Sequence, residues 1–319
     1  MRVETTEATF RKRVSTVLLA GYPLVMAAPA FRALFVVLLL AGTASGMVMA
    51  YLAVWASETF GLGPQGVAML FVVSGIAGAV GNPALGLASD RLGQRRPLVV
   101  GQLVVTAATY LAYTQVTSYP LALALASFSG FGVMGLVLAM VHDLVRGLPE
   151  DQRRSAARIL AAERTAWSIG IILGPAAAAA LVTLAGETRP VFVVAALIQI
   201  LAAGTVWMAG VEYRRPPSRP GSDALVSDGH PTPPRQWSSG RRLALGMLVV
   251  GLVLLTLPAQ TRTMYLPLFV TQVLREARGT VGPLFTLNAV TAVLMMPHVG
   301  TLADRLGAQR VLYLGALVG

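Results

Sequence analysis

"GLASDRLGQRR", residues 86–96, sets an aspartate and three arginines directly behind about twenty apolar residues. The chain writes nearly the same words 214 positions later, as "GTLADRLGAQR", residues 300–310. Aligned at that fixed offset without gaps, Tyr51-Leu52 falls on Tyr265-Leu266, Leu70-Phe71 on Leu284-Phe285 and Pro83 on Pro297. Twelve of the 46 positions from Tyr51 to Arg96 are identical. One unit of structure is therefore expected twice, each copy ending in the same charged turn.

The apolar runs set the context for those turns. The chain is 55% hydrophobic and 12% charged, with a mean hydropathy of +0.68, too apolar for 319 residues folded in water. There are no cysteines, which excludes disulfides and thiolate metal sites. A net charge of +11 would suit a nucleic-acid binder, but the charges sit in short clusters between runs of twenty or more apolar residues. Such runs match the roughly 30 Å of hydrocarbon in a bilayer. They predict spans at 33–56, 66–88, 97–116, 120–141, 159–184, 190–210, 243–274 and 280–303, with a ninth starting near 311. Prolines 258 and 267 predict a kink in the seventh. Twenty basic residues lie on the side of the two DRLG turns and three (Arg189, Arg275, Arg278) on the other, which assigns the turns and the N-terminus to the cytoplasm. The organisation read from this is a cytoplasmic tail or interfacial segment over 1–32, a six-helix bundle over 33–210, a disordered Pro/Ser/Gly/Arg-rich linker over 211–242, and a partial second bundle over 243–319.

At this point the residues resemble a known family. Gly86-x-x-x-Asp90-Arg91-x-Gly93-x-Arg95-Arg96 is similar to the signature loop of the major facilitator superfamily, and Gly300, Asp304, Arg305, Gly307 and Arg310 stand where that family carries its weaker repeat. The resemblance implies an all-α membrane protein: a facilitator bundle, incomplete, with about eight or nine of twelve transmembrane helices. It implies that the loops latch the two bundles together in one conformation. Gly170-x-x-x-Gly174-Pro175 in the fifth span resembles the antiporter motif of facilitator exporters, although Ala178 and Ala179 stand where the family has glycines. Close packing of small residues explains the two glycines alone equally well. Ser74, Gly78, "SDR" at 89–91, Arg164, Ser168 and "LPLFVTQVL" at 266–274 are similar to the bacterial sugar efflux transporters. The chain departs from that group at Met295-Met296 before Pro297, and "ALASFSGFG" at 124–132 lacks the helix-four arginine of many drug exporters.

Ionisable residues inside spans are costly and usually face a cavity or a partner. Glu163 and Arg164 lie in the fifth span, and Arg262 lies in the seventh beside Gln260 and Tyr265. These, with Ser168, Asn82 and Asn288, are the candidates for substrate contact or coupling. His142-Asp143, at the end of the fourth span, are expected to be solvated. No nucleotide loop, catalytic triad or metal-ligand spacing is present, so neither enzyme activity nor a cofactor is expected. The reading is an inner-membrane, monomeric, proton-coupled exporter of sugars or small hydroxylated solutes. The alternatives are a multidrug exporter of the same superfamily, or a truncated membrane protein or sensor that does not transport. The expected partners are a small molecule, protons and lipid, and no nucleic acid.

Overall fold

The computed structural model of the chain describes residues 22–130, 132–148, 156–211, 247, 251 and 261–291, and every element among them is helical. Proline and glycine punctuate the first helices. After a short helix α1 (Tyr22–Ala27), α2 (Pro29–Phe60) opens on a proline and α3 (Pro64–Leu92) does the same. Proline suits a first turn because its missing N–H has no partner there to lose. α3 stops at Gly93, whose φ of 64° lies in the left-handed region and whose N–H donates to the Ser89 carbonyl at 3.1 Å. A residue with a Cβ adopts that conformation at a cost, so the glycine of the DRLG turn ends the helix and turns the chain.

The bundle continues with α4 (Arg96–Tyr113), α5 (Tyr119–Ser129), α6 (Val133–Arg146), α7 (Ala156–Ala185) and α8 (Arg189–Ala209). Among the described residues, five stretches are long and apolar enough to cross a membrane: Pro29–Phe60, Pro64–Leu92, Tyr119–Arg146, Arg158–Ala185 and Arg189–Ala209. α4, with 18 residues, is not among them; it opens on Arg96 and Pro97 and buries the polar Gln102, Thr106 and Thr109. Apolar side chains such as Ile76, Val80, Leu197, Leu201 and Met208 point outward, as lipid-facing residues do.

Two of the expectations need adjustment. The first span begins at Pro29 rather than 33, with α1 packed directly before it; residues 1–21 of the expected tail or interfacial segment lie outside the described residues. The fourth span, expected as one helix over 120–141, is two helices separated at Gly130 and Gly132. Glycine propagates a helix poorly, and two of them stand at the break. Gly130 also lies so close to the Ser74 carbonyl of α3 that no Cβ fits.

α2 runs through the centre of the fold, packed on α7 and α8; α8 also packs on α4, and α5 on α3. The interior divides along the membrane normal. Leu34, Leu38, Leu103, Val137, Met140 and Ile159 fill the end that carries the signature loop. Aromatic side chains fill the opposite end, where Trp55 stacks at 5.0 Å from Tyr113 and 5.4 Å from Phe192, centroid to centroid. The second half contributes helical residues 261–268, a π turn Phe269–Val273 and helical residues 281–291. The π turn begins two residues after Pro267, one of the two prolines at which a kink is expected. Pro258 lies outside the described residues.

Candidate functional site

The signature loop is held by its arginines. Arg95 lies between two carboxylates, with Nη2 at 3.0 Å from Asp90 Oδ1 and Nε at 2.7 Å from Asp143 Oδ2. Asp143 belongs to α6, so this arginine ties the turn after α3 to the end of the fourth span. Asp143 is therefore not solvated, contrary to what its position at a helix end suggests; its side chain is only 18% exposed. Its neighbour His142 is exposed. Arg96 donates to the Trp207 carbonyl, and its guanidinium lies 4.8 Å from the centre of the Trp207 ring, a cation–π contact with α8. Arg91, Gly93 and most of Asp90 remain exposed. Gly86, the first residue of the loop pattern, has open space around it among the described residues. The second copy of the turn, with Gly300, Asp304, Arg305, Gly307 and Arg310, lies outside the described residues, as does Gln260.

The glycines of the fifth span have a different partner. Gly170 abuts the backbone of Leu39, Gly42 and Thr43, and Gly174 that of Thr43, Gly46 and Met47. In return, a Cβ on Gly42 would come within 2.6 Å of the Trp167 carbonyl, and one on Gly46 within 3.1 Å of Pro175 Cδ. Two Gly-x-x-x-Gly faces thus mesh, Gly42/Gly46 of α2 against Gly170/Gly174 of α7. Lipid tails are as apolar as leucine, so helices in a bilayer gain little from burying apolar side chains and rely on this kind of close contact. Sequence reasoning misses Gly42 and Gly46, although their four-residue spacing is the signal that could have found them. Pro175, inside α7, is buried.

Glu163 sits on the same stripe of α7, seven residues, about two turns, before Gly170. Its side chain is 0% exposed and neither carboxylate oxygen has a hydrogen-bond partner among the described residues. Arg164, the next residue, is exposed, so the two do not pair, as the roughly 100° between neighbours on a helix requires. Ser168 Oγ donates to the Arg164 carbonyl at 3.4 Å. Arg262 and Tyr265 share a cavity of about 390 Å³ with Pro64, Leu266, Phe269 and Gln272. Among the described residues no ion pair joins Arg164 or Arg262 to a carboxylate. Asn288 is half-buried. Asn82 bridges two spans. Its Oδ1 accepts the Gly132 N–H at 2.8 Å, supplying the break in the fourth span with the acceptor the helix no longer provides. Nearby, the Ser74 and Ser129 hydroxyls meet at 3.4 Å.

The family model described as Major Facilitator Superfamily matches residues 34–319. The chain belongs to this superfamily. It is accordingly a multi-pass membrane protein and a secondary transporter, which moves a small molecule across the bilayer. No curated protein matches the chain. The meshed α2–α7 pair lies beside Glu163 and also touches the second half of the protein: the Thr286 hydroxyl donates to the Ile172 carbonyl at 3.3 Å, and Gly282 packs on the Pro175 carbonyl and Ala179.

Proposed function

We propose that this facilitator is a proton-coupled exporter of small hydroxylated solutes, sugars among them, in which Glu163 carries the coupled proton. The observation behind the coupling is the burial of Glu163 without a hydrogen-bond partner. An ionised carboxylate in apolar surroundings is costly. Glu163 therefore tolerates this conformation when it carries a proton and gains from another in which water or a cation reaches it. A residue whose proton occupancy is tied to conformation can link proton entry to the swing of two bundles. Under this reading the basic residues assign the signature-loop end to the cytoplasm and the opposite end to the outside. Arg164, Ser168, Arg262 and Tyr265 are the contacts proposed for solute hydroxyls, and the likeness of 67–96 and of the fifth span to sugar efflux transporters supports that class.

A second reading has an observation of its own. The cavity beside Arg262 is walled mostly by Pro64, Leu266, Leu268, Phe269 and Val273, which suits an amphiphile with one polar end. Everted vesicles given a proton gradient separate the two. Proton-linked uptake of sugars supports the first reading, and uptake of amphiphilic dyes without sugars replaces it with a multidrug exporter. In the same vesicles Glu163→Gln, which cannot release a proton, is expected to abolish gradient-driven uptake yet preserve exchange of solute for solute. Gradient-driven uptake at the wild-type rate in that variant removes Glu163 from the coupling.

A further inference from the structure

At the end of the bundle opposite the signature loop, one residue of the second half grips the first half in three places. The Arg278 Nε lies 2.6 Å from Glu58 Oε1, near the end of α2. Its Nη1 donates to the Gly186 carbonyl, just past α7, at 2.7 Å. Its own carbonyl accepts the Tyr51 hydroxyl of α2 at 3.2 Å. A few residues earlier in the chain, the Gln272 side chain donates to the Ser57 hydroxyl. Arg278 and Glu58 also form part of the wall of a cavity of about 610 Å³ that opens at this end beside Glu187 and Arg189.

The connection that carries Arg278 is built to present it. Only a few residues separate the π turn Phe269–Val273 from the short helix Arg278–Thr280. Within them Arg275 adopts a φ of 55°, a left-handed conformation a non-glycine residue takes at a cost, and the Glu276 N–H closes back on the Val270 carbonyl at 3.1 Å. Both partners of the ion pair are partly covered, with side-chain exposures of 40% for Arg278 and 35% for Glu58. Directly below lie Val281, fully buried, and Gly282 against α7.

We propose that Glu58 and Arg278 form the gate that closes this end of the transporter, a latch between the halves that must part before this end opens. Tyr51 and the Gly186 carbonyl hold the arginine in register, and the fork of the guanidinium lets one side chain bind α2 and the end of α7 together. The gate deepens the alternating-access part of the reading above, and no identity of solute or coupling ion enters it.

The absence of cysteines makes the test direct. Val281→Cys serves as a reporter beneath the latch, and Ser168→Cys, in a separate protein, reports on the cytoplasmic half of α7. Each is labelled in proteoliposomes with a membrane-impermeant maleimide applied to its own side, with no solute and no gradient, so the result is independent of what is transported. Glu58→Gln and Arg278→Gln are each expected to speed labelling of Val281→Cys by about threefold to fivefold, the range a partly exposed ion pair supports. Labelling of Ser168→Cys should slow in the same variants, because opening one end closes the other; unfolding would speed both. The double variant should exceed Arg278→Gln alone by nothing measurable, since the pair is lost once. Unchanged labelling in both single variants, faster labelling of both reporters, or additive effects in the double variant would overturn the gate.

Discussion

The two ends of the first bundle put the same chemistry to different uses. At the signature loop, Arg95 joins Asp90 to Asp143 and Arg96 lies on Trp207, and all of these residues belong to the first bundle. At the opposite end Arg278 of the second half reaches Glu58 and Gly186 of the first. Among the described residues, therefore, the ion pairs at the arginine-rich end stiffen one lobe, and the pair at the arginine-poor end spans two. Charge density in the sequence points to the side a loop faces, because insertion responds to it. It says nothing about which lobe a given arginine will hold. That depends on where a carboxylate lies within about 4 Å, and one correctly placed pair at the sparse end can govern the movement of whole bundles.

The contrast fails most readily at the axis the two ends share. Gly170→Ala would drive a methyl into the backbone of α2, and overpacking of this kind costs about 1–3 kcal/mol. A clearly lowered thermal midpoint in detergent is expected, with the contacts at both ends loosened together; an unchanged midpoint would show that α2 and α7 do not touch at this glycine. Asn82→Ala leaves the Gly132 N–H without its acceptor, a loss of about 1 kcal/mol. Hydrogen exchange should quicken at Gly132 and in the first turn of α6, and not in α2. The smallest effect is expected at the signature loop. Asp143→Asn weakens a pair that lies inside one bundle, for about 1 kcal/mol or less, read as a small fall in the thermal midpoint. Its value is as a contrast. It should leave the labelling rate of Val281→Cys where it was, whereas Glu58→Gln should raise it, and a rise in both would erase the distinction between the ends.

Much of the helical layout is legible in the sequence because proline, glycine and hydropathy act locally. Pro29 and Pro64 open helices where the chain places them, and Gly93 closes α3 inside the repeated motif itself. The fourth span reads as continuous because its apolar run is unbroken and glycines only weaken a helix, while the acceptor that satisfies the break, Asn82, comes from a neighbouring helix. For the candidate site the divide is similar. Glu163 stands out in the sequence as a carboxyl in an apolar run, but only packing leaves it wholly buried and unpartnered while Arg164 stays exposed. Glu58 and Arg278 carry no such signal, one being a helix-end acid and the other one of three basic residues on the sparse side.

By itself, then, the sequence determined that the chain is a lipid-embedded helical protein with a repeated charged turn, and on which side of the membrane those turns are expected. Length, hydropathy and turn residues carry that information, and each acts over a few residues or against the bilayer alone. The tertiary structure decided which glycines touch, that α2 and α7 mesh through Gly42, Gly46, Gly170 and Gly174, and that Arg278 bridges the halves 220 residues from its carboxylate partner. Those are contacts between helices distant in the chain. No local signal encodes them, because they exist only when the surrounding bundle fixes two backbones within a methyl group of each other.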